Sequence, residues 1–183
     1  MSKYLPTNVA LSVFNVDYDT LYAKGKRIIL FDLDNTLISY DESVPSQELI
    51  ALGKSLLDKG FKVYVLTNNY GYRINHFMET FPATEAGYLM RKPFAYKIRR
   101  YLNERNITDY KQIVMIGDQL LTDIKCANRL GVDSVLVKSI SRASEHLYTT
   151  LNRLREKGVI KKIAKIDAEY AKQISKLIKK EKK

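Results

Sequence analysis

Two carboxylates one residue apart, Asp32 and Asp34, close the apolar run in ILFDLDNTL, residues 30–38. Paired acids at a strand end repel each other and add nothing to a core, so their presence calls for a chemical reason. IGDQLLTD supplies Asp118 after a second apolar run, then Asp123; LTNN supplies Thr67 and Asn68, and MRKP supplies Lys92. Clustered carboxylates without a His or Cys set suit a hard, oxygen-seeking cation, Mg²⁺ first. A Mg²⁺ site beside a lysine and a threonine suits a phosphate group, whose negative charge must be neutralised before a carboxylate can approach it. One Asp of the pair can then attack phosphorus. The other can protonate the leaving oxygen and later deprotonate the water that cleaves the intermediate. Asp123 also reads as a helix N-terminal acid, and Asn35 and Asn69 as turn residues. His76 and His146 lie outside the strand ends, and Cys126 reads as a small helix-face packing residue.

These residues need a frame. RIILFDL (27–33), FKVYVLT (61–67), AGYLM (86–90), QIVMIGD (112–118) and DSVLVK (133–138) read as strands, several of them apolar without alternation, as strands covered on both faces should be. Helical patterns lie between them at 45–59, 71–81, 93–105 and 119–130, with Pro45 and Pro93 in first turns and Gly60 and Gly131 at ends. The repeating β-α order predicts an α/β fold with a parallel sheet and helices on both faces. In such folds ligands bind at the carboxyl ends of strands, where the acids fall. Asp32 and Asp34, alternate residues, can point into one crevice.

DLDNT, LTNN, KP and GDQLLTD together resemble the four motifs of the haloacid dehalogenase (HAD) superfamily of phosphatases. The opening LPTNVALSVFNVDYDTLYAKGKRIILFDLDNTL resembles the YqeG family, which is similar to the mitochondrial phosphatidylglycerophosphate phosphatases. The resemblance, over roughly residues 5–150, implies a three-layer Rossmann-like fold with sheet order 5-4-1-2-3. It implies Asp32 as nucleophile, Asp34 as general acid/base, and Thr67 and Lys92, with the neighbouring Asn68, as the phosphate-binding set. Mg²⁺ would be held by Asp32, the Asp34 main-chain carbonyl and Asp118, with Asp123 near the metal or orienting Lys92.

Residues 37–66 and 69–91 are consumed by core elements, leaving only about 37–44 as a flap, so an inserted cap domain does not fit. A capless, open site accepts a substrate whose bulk stays outside: a lipid head group, a polynucleotide end or a protein side chain. The 183 residues carry a net charge of +11, and residues 151–183 hold twelve Lys/Arg against four Asp/Glu. The expected organisation is a phosphatase core over 1–150 and a basic helical extension over 151–183 of the same domain. Across 160–180 a helix would put Ile160, Ile163, Ile166, Tyr170, Ile174, Leu177 and Ile178 on one side and Lys161, Lys165, Lys172, Lys176 and Lys179 on the other, with Asp167 a misfit on the apolar side. Such a helix can pack on the domain or a partner, or lie on an anionic membrane surface. One cysteine, no secretory-signal plan at the N-terminus and no long apolar run suggest a cytoplasmic protein, peripheral at the membrane if the tail binds there. The alternatives are a nucleotide or polynucleotide-end phosphatase using the basic tail, or a non-catalytic nucleic-acid-binding protein. The intact pair Asp32 and Asp34 argues against the second, since a phosphate binder needs no acid/base two residues on.

Overall fold

A computed structural model describes residues 3–141 and 147–178, without the side chains of 147–154. Among the described residues six strands form one all-parallel sheet: β1 (Asn8–Ala10), β2 (Ile28–Phe31), β3 (Lys62–Leu66), β4 (Glu85–Gly87), β5 (Ile113–Gly117) and β6 (Asp133–Val137), in the order β1-β6-β5-β2-β3-β4. The five expected strands hold the expected order, and β1, which sequence patterning did not reveal, adds an edge beside β6.

Side-chain alternation divides the core between two faces. Ile29 and Phe31 turn to one side with Val63, Val65, Val114 and Ile116, covered by Leu21 of α1 (Tyr18–Ala23), Leu49 and Leu56 of α2 (Gln47–Asp58), and Ile74 and Phe77 of α3 (Tyr72–Thr80). Ile28 and Leu30 turn to the other with Tyr64, Leu66, Ile113 and Met115, covered by Ile98 and Leu102 of α4 (Tyr96–Asn103) and Cys126 and Leu130 of α5 (Lys125–Leu130). Each such aliphatic side chain contributes ~1.5–3 kcal/mol when fully buried. Burial pushes the Cys126 thiol up to about 12, which leaves it a packing group.

The C-terminal segment departs from the single helix expected over 160–180. It forms α6 (Leu147–Ala164) and α7 (Ala168–Ile178). Asp167 is the reason: its Oδ1 accepts from the Tyr170 N–H at 2.8 Å and its carbonyl from the Ala171 N–H at 3.1 Å, capping α7. The acid that misfits one continuous helix thus starts a second, and Ile166 in the break is exposed. Val159, Ile163, Ala171, Ile174 and Leu177 pack on Leu120, Ile124 and Leu136 of the domain. Lys179 and His146 lie outside the described residues.

β4 ends at Gly87, short of the 86–90 run, because Leu89 takes a left-handed φ of 51° and carries the chain out of the sheet. A turn at Lys92–Pro93, closed by Phe94 N–H to the Arg91 carbonyl at 2.9 Å, delays α4 to Tyr96. Between β5 and α5 the chain winds as a π-helical turn, Leu120–Ile124. The connection from β2 to α2 is a short loop with no inserted domain. No helix among the described residues is long and apolar enough to cross a membrane.

Candidate active site

The register of the three central strands brings the motif residues together. Phe31 pairs with both Val65 and Ile116, and the Asp32 N–H donates to the Ile116 carbonyl at 2.9 Å. Asp32 is thus level with Leu66 and Gly117, and Thr67 and Asp118 follow one residue further at the same carboxyl edge. One carboxylate oxygen from each of Asp32, Asp118 and Asp123 lies within 4.8 Å of the others, and all three residues are buried.

Lys92 enters from the loop after β4 and is equally buried. Its ammonium pairs with Asp32, lies 2.9 Å from Asp123 Oδ1 and donates to the Leu66 carbonyl at 2.9 Å. Burial alone would lower its pKa, but the carboxylates of Asp123 and Asp32 carry it above the usual lysine value, so it stays charged. Burial pushes the Asp32 carboxyl well above the usual carboxylate range; Lys92 pulls against this, and Asp123, Asp118 and Asp34 add to it. Three buried carboxylates against one ammonium leave an excess of negative charge. That donor set, all oxygen and all carboxylate, fits a hard divalent cation.

Asp123 depends on a glycine. A Cβ added at Gly117 would come 2.5 Å from Asp123 Cβ and Cγ, so only glycine lets that side chain lie over the strand end. Asp123 Oδ2 accepts from the Gln119 N–H at 3.1 Å and from the Thr122 hydroxyl at 3.3 Å. The π-helical turn that follows is steadied from far along the chain: the Leu120 N–H donates to Oε1 of Glu156, a buried acid of α6, at 3.0 Å.

Asp34 stands apart from this cluster. Its Oδ2 accepts from the Thr67 hydroxyl at 3.1 Å and from Asn69 Nδ2 at 2.8 Å, while Oδ1 pairs with the guanidinium of Arg73 on α3. Asp32 Oδ2 accepts from Thr36 Oγ1 at 3.1 Å. Asn68 braces the loop: its Nδ2 donates to the Lys92 carbonyl at 2.9 Å and its Oδ1 accepts the Lys92 N–H at 2.7 Å. Its side chain thus places Lys92. Asn35 is a left-handed turn residue, φ 63°. His76 sits on the surface, 2.9 Å from Glu79 and stacked on Tyr72.

Arg73 was invisible to sequence reasoning, since a lone arginine in NYGYRINHF resembles any solvated helix residue. The signal that could have found it is the one-turn offset of α3 from LTNN, which sends its first turn back over the strand end.

The chain is similar to known proteins. Over 164 residues the chain is 30% identical to "Probable phosphatase YqeG" of Bacillus subtilis (strain 168), covering 86% of this chain and 90% of that one. The chain belongs to the YqeG family of HAD phosphatases. A family model described as "HAD-hyrolase-like" matches residues 89–165. "Phosphatidylglycerophosphate phosphatase 1, chloroplastic/mitochondrial" of Arabidopsis thaliana is 27% identical over 160 residues, which are 80% of this chain but 44% of that relative. An uncharacterized protein from Listeria monocytogenes serotype 4b shares the fold at a TM-score of 0.52 and 18% identity, covering 66% of this chain and 84% of that one. HAD phosphatases generally use Mg²⁺, which agrees with the chemistry of the three-acid cluster.

Proposed function

We propose that this YqeG-family phosphatase hydrolyses phosphomonoesters with Mg²⁺ through an aspartyl-phosphate on Asp32, and that its substrate is a lipid phosphate of the phosphatidylglycerophosphate class. The observation that carries the first part is the sharing of one buried lysine by Asp32 and Asp123, with Asp118 beside them and Asp34 held separately. Bound Mg²⁺ would neutralise phosphate oxygens, held by Asp32, Asp118 and the Asp34 main-chain carbonyl. Lys92 and Thr67 face the same edge and take further phosphate oxygens. An Asp32 oxygen forms a bond to phosphorus as the ester oxygen leaves, and Asp34 gives that oxygen a proton. Asp34 then accepts a proton from water, whose oxygen displaces Asp32 from phosphorus and restores the carboxylate.

Asp118 directly follows β5 at the strand end, whereas Asp123 lies a turn further on and is engaged by Lys92, Thr122 and the Gln119 N–H. Asp118→Ala should therefore weaken Mg²⁺ binding more than Asp123→Ala, read as the Mg²⁺ concentration needed to raise the melting temperature. The reverse order would make Asp123 the inner ligand.

The substrate class is supported by the rim of the site. Tyr70, Tyr72, Tyr88, Leu89, Phe94 and Tyr96 are exposed on the two loops and helix starts that follow β3 and β4. The loops adjoin, since the Leu89 N–H donates to the Asn69 carbonyl at 3.3 Å. Besides the buried Lys92 and the Asp34-paired Arg73, residues 68–73 and 86–103 hold Arg91, Lys97, Arg99 and Arg100 and no acid. Exposed aromatics beside cations suit the interface of an anionic bilayer, and the aliphatic Leu89 has no part in stacking on bases, as a nucleic-acid site would ask. Mg²⁺-dependent phosphate release should be faster from a phosphatidylglycerophosphate in anionic vesicles than from nucleotides. Leu89→Ser with Phe94→Ser should reduce vesicle binding and lipid turnover while sparing a soluble aryl phosphate. Intact protein that ignores anionic vesicles at low salt would remove the lipid surface and leave a soluble phosphate ester as the substrate.

A further inference from the structure

The guanidinium of Arg73 touches two things at once. One terminal nitrogen pairs with Asp34 Oδ1. The other donates to two carbonyls of the loop between β2 and α2, Glu42 at 3.0 Å and Ser39 at 3.3 Å, and the guanidinium lies 5.9 Å from the centre of the Tyr40 ring. That loop is closed on itself by Glu42, whose Oε2 accepts both the N–H and the hydroxyl of Ser39 at 2.9 Å. It is the short flap that stands where an inserted cap would begin.

We propose that Arg73 is a positioning residue that couples the flap at 39–42 to Asp34. The inference rests on the acid/base role assigned to Asp34 above. Thr67 and Asn69 reach only Oδ2 of Asp34, so Arg73 alone among the described contacts fixes the other oxygen and with it the rotation of the carboxylate. A planar fork can hold a carboxylate and two carbonyls in one rigid geometry; a lysine ammonium is a point charge and cannot span both. A flap that moves therefore moves Arg73, and Asp34 with it. In a capless enzyme this gives the flap a way to set the proton donor as a substrate seats beneath it.

The test compares esters whose leaving groups differ in basicity: a nitrophenyl phosphate, which departs almost unaided, and an alkyl phosphate, which needs a proton. Each is assayed with wild type, Asp34→Asn, Arg73→Ala, Arg73→Lys, Arg73→Gln and the double variant, with a melting curve on each. Arg73→Ala is expected to lose ~10-fold or more on the alkyl ester beyond its loss on the aryl ester, in the manner of a misplaced general acid. Arg73→Lys should restore this only in part. On an Asp34→Asn background Arg73→Ala should add no further leaving-group-dependent loss, because both act through one group. If Arg73→Ala does not fold, Arg73→Gln carries the same comparison. Equal losses on both esters in the Arg73 variants, with Asp34→Asn still discriminating between them, would overturn the inference and leave the role of Asp34 standing. If Asp34→Asn itself does not discriminate, the acid/base role fails and the inference falls with it.

Discussion

Asp32→Asn is expected to lower phosphate release from an aryl phosphate by ~10⁴-fold or more, the scale of removing a nucleophile that works with its neighbours as a unit. Nearly isosteric, the amide keeps the shape of the strand end but cannot attack phosphorus and return as a leaving carboxylate. The fold should not suffer. Asp32 is one of three clustered buried carboxylates and shares Lys92 with Asp123, and burial already pushes its pKa well up. Replacing it with a neutral group relieves repulsion and leaves Asp123 to pair with the lysine. The melting temperature without metal should therefore hold or rise while activity vanishes. Turnover that survives in Asp32→Asn would mean another group is the nucleophile. A loss of activity that tracks a fall in melting temperature would point to folding, with the chemistry left unassigned.

Lys92→Met should fail in the opposite way, through stability as well as rate. The lysine side chain is 2% exposed and is the ammonium between Asp32 and Asp123. Taking out one partner of a buried ion pair costs about 3–5 kcal/mol, because the remaining charges are left uncompensated. The pH dependence has a definite sign. Because Asp32 is raised in the folded state, the folded chain holds a proton that the unfolded chain has released. Metal-free stability thus falls as pH rises from the ordinary carboxylate range through the raised value of Asp32. Without Lys92 that fall should steepen. The Lys92 shift itself is upward, so its stabilising charge is present across neutral pH. Mg²⁺ should recover part of the loss, about 2.7 kcal/mol at a hundred times its dissociation constant. Turnover at saturating Mg²⁺ should stay ~10²–10³-fold down, since a fixed positive charge facing the phosphate is gone. Melting curves across pH, with chelator and with Mg²⁺, measure all of this. A Lys92→Met protein as stable as wild type at neutral pH, with no response to Mg²⁺, would show that the three acids do not form one charge-balanced site.

The residues legible in the sequence were those whose placement makes no sense for a core. Asp32, Asp34, Asp118 and Lys92 end or follow apolar runs, and their type alone argued for them; the strand register brings Asp32 and Asp118 to one edge, Lys92 joins them from the loop after β4, and Asp34 is held apart. Arg73 carried no such signal, because what it does depends on which loop lies beneath it in space; Asn68 was singled out with the phosphate-binding set, and its side chain is bonded to the Lys92 main chain. Asp167 was visible and misread: one helical period laid across 160–180 made it a misfit, whereas its side chain caps the start of a second helix. β1 has three residues and no alternation to detect. The early end of β4 rests on a leucine in a left-handed conformation, which composition does not foretell.

The bond from Glu156 to the Leu120 N–H, with the apolar seam of α6 and α7 laid on Leu120, Ile124 and Leu136, bears on how the enzyme is made. Synthesis runs from the first residue to the last, and native contacts form as their partners emerge. All the motif residues have left the ribosome while this seam is still unmade. Until α6 and α7 follow, the nascent chain carries its chemistry beside an uncovered apolar edge, and the turn bearing Asp123 lacks its distant acid. Competence is thereby postponed until α6 and α7 have emerged.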